Sequence, residues 1–270
     1  MAGHNRVANI IKKEWRVLST DTSSIMLVSL IPFVIIAQVI LYIWIANNFS
    51  AGIITNQVFL NALGNLRQSV PAVGGLPPEQ QLLVLFLSQV NFYLLIIPTM
   101  IAINVATFSI IDEKLSGSLE ALLATPVKTW ELLLGKALSG AIPAIAVAWV
   151  CAGIYLLGMV ALRWGNLVHL VVTPAWFLSL FLLTPAVALL SFLFGIIGSS
   201  RAKDTKSAQN MALFIVLPVL LLIAVQITGL VWFTWLLTLA LAVGIGLVDF
   251  LVLRIAVRLF QREAIVVKWR

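Results

Sequence analysis

From Ser207 to Val248 the chain carries no Asp, Glu, Lys or Arg. A stretch that long is more than one membrane crossing needs and enough for two, because about 20 apolar helical residues span the roughly 30 Å hydrocarbon core. Other uncharged runs repeat the pattern at 25–46, 82–111, 137–162 and 175–198, and dividing the long run at Gln226, Thr228 and Gly229 gives spans at 208–228 and 236–258. The expected fold is therefore an all-α integral membrane protein with about six transmembrane helices in one domain. Composition agrees: 61% of the 270 residues are hydrophobic and 10% are charged, whereas soluble domains carry about 25% charged residues.

The net charge of +7 is not spread evenly. Arg6, Lys12, Lys13, Arg16, Lys114, Lys128, Lys136, Arg201, Lys203, Lys206, Arg254, Arg258, Arg262, Lys268 and Arg270 fall on one side of the expected bilayer, and only Arg67 and Arg163 on the other. Fifteen of the 17 basic residues on one side orients the chain with both termini cytoplasmic and an even number of spans. Charge clustered next to apolar runs reads as topology and lipid-headgroup contact, and nucleic acid is not an expected partner. Residues 1–23 lack the short apolar core of a cleavable signal peptide. They form instead an amphipathic interfacial helix, with Val7, Ile10, Ile11, Trp15 and Leu18 at helical spacing. Lys12, Lys13, Trp15 and Arg16 are its expected interfacial anchors. The mixed-polarity stretch Asn47–Gln81 reads as an exposed loop with a short helix around Gln57–Gln68, and 259–270 as a basic cytoplasmic tail.

Chemistry is sparse. Leu134-Gly135-Lys136-Ala137 lacks the upstream glycine and the Ser or Thr of a phosphate-binding loop. His4 and His169 are too far apart for a metal pair or a protease base, and the single Cys151 allows no intrachain disulfide. The expectation is a chain that is not an enzyme and binds no cofactor of its own. Asp249 is the one acid deep in a predicted span, a position that points to ion or proton handling unless Arg254, about one turn away, neutralises it.

The most informative segment is 112–136. Gly117-Ser118 starts a short helix with Glu120 near its positive end and Leu119, Leu122 and Leu123 on one face, and Thr125-Pro126 stops it. Read alone, this hairpin is either a partner-docking surface or a solvated connector. The segment resembles the first cytoplasmic loop of the permease subunits of ABC-2 type exporters. Glu113, Gly117, Ser118, Leu119, Glu120, Leu122, Leu123, Thr125, Pro126, Glu131, Gly135 and Lys136 fall on that family's pattern, while Leu115 stands where a second acid is frequent. An N-terminal helix with Lys-Glu-Trp, a large first outer loop and the ending Leu259-Phe260-Gln261-Arg262 extend the likeness along the chain.

The resemblance implies that Glu113, Gly117, Ser118, Leu119, Glu120, Leu122, Leu123, Thr125, Pro126 and Glu131 form a coupling-helix hairpin resting on a separate ABC ATPase, which holds the ATP and Mg. It implies a second permease chain, identical or related, and an export function in a prokaryotic plasma membrane. Two other readings stay open: an ion-coupled secondary transporter using Asp249, and a non-transporting assembly subunit of a membrane complex.

Overall fold

The computed structural model describes residues 2–20, 26, 30, 33–45, 48, 56–117, 128–201, 216–222, 224–226 and 232–259. Among these residues the chain is helical, with no strand. In chain order the longer helices are α1 (Ala2–Leu18), α2 (Phe33–Ile45), α3 (Gln57–Ser69), α4 (Pro78–Tyr93), α5 (Ile96–Leu115), α6 (Thr129–Ala161), α7 (Pro174–Ser200), α8 (Val216–Gln226) and α9 (Trp235–Leu259). Four apolar helical stretches, Pro78–Ile111, α6, α7 and α9, are long enough to cross a membrane, and α2 and α8 are shorter.

The first long stretch is broken between α4 and α5 at Leu94–Leu95. Pro98 has no amide for the Leu94 carbonyl and its ring crowds that carbonyl, so the helix tightens there, with Leu95 N–H bonding to Phe92 O at 3.0 Å. The α6 helix spans 33 residues, about 50 Å at 1.5 Å per residue. It starts at Thr129, so residues 129–136, read from sequence as part of the cytoplasmic hairpin, are the first two turns of this helix. The helix at Gln57–Ser69 falls where composition placed it, capped by Asn56, whose side chain accepts from Val58 N–H at 2.9 Å.

Small residues set the close crossings, as expected where no solvent drives helices together. A Cβ at Gly195 of α7 would lie 2.7 Å from Ala106 Cβ of α5, and one at Gly140 of α6 would overlap the Phe192 ring of α7. The core packs α5, α6 and α7 together through Ala102, Val105, Ala106, Ala137, Ala144, Phe192 and Ile196. On one flank α2 meets α4 through Tyr42, which stacks on Phe86 with centroids 5.7 Å apart and hydrogen-bonds to Tyr93.

Candidate functional site

The N-terminal helix reaches the bundle through its one acid. On α1 the stripe Val7, Ile10, Ile11 and Leu18 faces inward, and Glu14 occupies the same stripe, 6% exposed. A carboxylate on a buried face needs partners, and α5 and α6 supply them. Lys136 Nζ lies 3.3 Å from Glu14 Oε1 and 2.9 Å from Glu113 Oε2, and donates to Ser109 Oγ at 2.6 Å. Ser109 Oγ in turn donates to Glu14 Oε2 at 3.0 Å. Lys13 Nζ closes the network from the solvent side, 3.0 Å from Glu113 Oε1 and 3.6 Å from Glu14 Oε1.

Two ammonium groups thus face two carboxylates, and the Lys136 side chain is only 1% exposed. Burial pulls the Lys13 pKa down, but its bond to Glu113 and the charges of Glu113 and Glu14 outweigh that and hold the ammonium above its ordinary range.

A second bond joins α1 to α6. Pro143 sits inside α6 and has no N–H, so the carbonyl four residues earlier, at Ser139, has no helical donor. The Trp15 indole Nε1 of α1 donates to Ser139 O at 2.9 Å. Gly135 lets the two helices close, since a Cβ there would stand 3.0 Å from Ile10 Cγ2.

Of the residues expected to form the coupling hairpin, three are described: Glu113, Gly117 and Glu131. Glu113 sits in the charge network. Gly117 ends α5 with φ +68, a conformation glycine adopts without steric cost. Glu131 is the third residue of α6, where its carboxylate accepts from Lys128 N–H at 3.1 Å and favours the positive helix end. Ser118, Leu119, Glu120, Leu122, Leu123, Thr125 and Pro126 lie outside the described residues. Lys12 and Arg16 stay exposed, as does much of Trp15.

Reading the sequence for interfacial anchors missed Glu14, Ser109 and the burial of Lys136. The available signal was Glu14 itself, an acid on the apolar stripe of a basic helix.

Asp249 is separate from this network. Its Oδ1 is buried with no hydrogen-bond partner, and the Arg254 guanidinium packs over the Phe250 ring, 4.3 Å from its centroid. Among the described residues no ion pair joins Asp249 to Arg254, and no cluster of ligands suits a metal ion. At the opposite end of the bundle from α1, Asn91 Oδ1, Trp176 Nε1 and Gln226 Oε1, all buried without partners, share a cavity of about 40 Å³ with Ser88 and Thr238. At about 10–15 Å³ per water it has room for about three waters.

Long apolar helices crossing on small residues, with a charged joint at one end, define a multi-pass helical membrane protein. A family model described as ABC-2 family transporter protein matches residues 8–260, and the chain belongs to that family. It is a transport permease of the ABC-2 type, a family whose permeases work in general with an ABC ATPase. Among curated proteins none matches the chain significantly.

Proposed function

We propose that the chain is the permease subunit of an ATP-driven exporter, with ATP and Mg held by a separate ATPase and no catalysis or cofactor on this chain. One observation carries this reading. The network of Lys13, Glu14, Ser109, Glu113 and Lys136 ties α1 to both helices that flank the cytoplasmic segment 112–136. Force applied to that segment is delivered to α5 and α6 together, which suits rigid-body rocking of spans between two states.

A groove between α1 and the start of α6, lined by Val7, Ala8, Ile11, Trp130, Glu131 and Leu134, lies beside the segment and suits an apolar and acidic docking surface. In this reading six spans cross a prokaryotic plasma membrane with both termini cytoplasmic, residues 112–136 carry the coupling helix, and a second permease chain completes the pathway.

The test is co-expression with an ABC ATPase from the same genome. The two should co-purify, and Glu120→Arg should abolish substrate-stimulated ATP hydrolysis while membrane insertion stays normal. Unchanged stimulation in that variant overturns the assignment.

The unpaired carboxylate of Asp249 favours a second reading, an ion-coupled carrier. Transport that collapses with an ionophore and ignores ATP depletion would select it.

A further inference from the structure

An apolar groove of about 190 Å³ runs between α2, α4 and the far half of α6. Val39 of α2 and Leu87 of α4 form two walls, and Cys151 and Gly158 of α6, with Leu162 just past its end, the third, with Trp164 at the end of the groove. Tyr155 also borders it, but its hydroxyl is spent on Leu87 O at 2.9 Å, leaving no polar group for a polar ligand there.

The groove follows α6 from Cys151 to Leu162, about 16 Å at 1.5 Å per residue, which matches one leaflet, about half of a 30 Å hydrocarbon core. Between two of its lining residues, Leu162 and Trp164, the chain carries a cation. Arg163 is exposed, and among the described residues it makes no ion pair. Its backbone has φ 63 at the helix terminus, with Arg163 N–H bonding to Val160 O and Trp164 N–H to Met159 O. Glycine fits that position at lower cost. The other basic residue on this side, Arg67, is occupied by Gln81, with Nε and Nη2 at 2.9 and 2.6 Å from Oε1.

We propose that the groove holds one phospholipid of the leaflet opposite α1, an acyl chain lying between α2, α4 and α6 and its phosphate on Arg163. A tryptophan at headgroup depth and an arginine beside it are the groups that anchor such a lipid. The site requires only that the chain sits in a bilayer, so it stands or falls apart from the transport reading.

Gly158 and Gly153 supply the test, because an added Cβ at either meets nothing within 4 Å, yet only Gly158 lines the groove. Full-length protein released from nanodiscs of equal phosphatidylglycerol and phosphatidylcholine is analysed by native mass spectrometry. Wild type and Gly153→Leu should each retain one phosphatidylglycerol per chain. Gly158→Leu should lose it, and Arg163→Gln should retain at least fivefold less. Alkylation of Cys151 by N-ethylmaleimide gives a second readout in the wild-type chain: delipidation should speed it and added phosphatidylglycerol should slow it again. Equal lipid retention by the two leucine variants overturns the proposal, as does undiminished retention by Arg163→Gln or a Cys151 rate indifferent to lipid. Loss of a dimer rather than of lipid in Gly158→Leu would assign the groove to a second copy of the chain, and overturns it equally.

Discussion

Removing the Lys136 ammonium leaves the Glu14 and Glu113 carboxylates, which are 6% and 8% exposed, without their shared buried partner. Breaking a buried ion pair from one side costs about 3–5 kcal/mol. Lys136→Met should therefore lower the unfolding temperature of the detergent-solubilised protein far more than Lys12→Met, whose side chain is exposed.

The Trp15 bond makes a sharper prediction. Trp15→Phe orphans the Ser139 carbonyl, a loss of about 1–3 kcal/mol. In a Pro143→Ala background the helix supplies its own donor, so the same substitution should cost much less, and a double-mutant cycle on thermal unfolding should return a coupling energy of about 1 kcal/mol or more.

Alkali should act through Lys13. Its pKa is raised in the fold, so its contribution is complete below the ordinary value of 10.5 and is lost as pH climbs through the higher folded value. Protease access to α1 should rise in that alkaline range and not at neutral pH. At this scale the sequence was half legible: Pro143 announces a vacant carbonyl at Ser139, but the donor that fills it lies 124 positions away, beyond any local pattern.

Among elements, α1 belongs to the bundle and does not merely float at the interface, and Gly135 permits the contact. Gly135→Leu should force Ile10 outward and release α1, seen as faster hydrogen exchange in residues 7–18 with α6 unchanged. An all-helical chain with long apolar helices, and the short helix at Gln57–Ser69, were legible in hydropathy and turn composition. The start of α6 at Thr129 was not, because charged residues in its first turns look like loop until Glu131 is seen capping the helix and Lys136 is seen buried in a charge network. The π turn at Ser179–Leu183 was equally hidden. There Thr184 N–H bonds back to Ser179 O, and Pro185, five residues after Leu180, has no hydrogen to offer the Leu180 carbonyl. Trp149 Nε1 of α6 takes that carbonyl at 3.0 Å.

For the whole molecule, sidedness is the measurable quantity. In a Cys151→Ala background, Thr20→Cys should react with a membrane-impermeant maleimide only in inverted vesicles, and Asn166→Cys only in right-side-out cells. Both positions are exposed in the structure. The reverse pattern would invert the proposed orientation.

The two tryptophan-to-carbonyl bonds share one property. Each indole occupies an acceptor that a proline has already removed from the backbone ladder, so detaching it breaks no helical rung. Such a contact is a peg in a socket moulded in advance: α6 can let go of α1 at one end, or of α7 further along, and re-engage with its own winding intact.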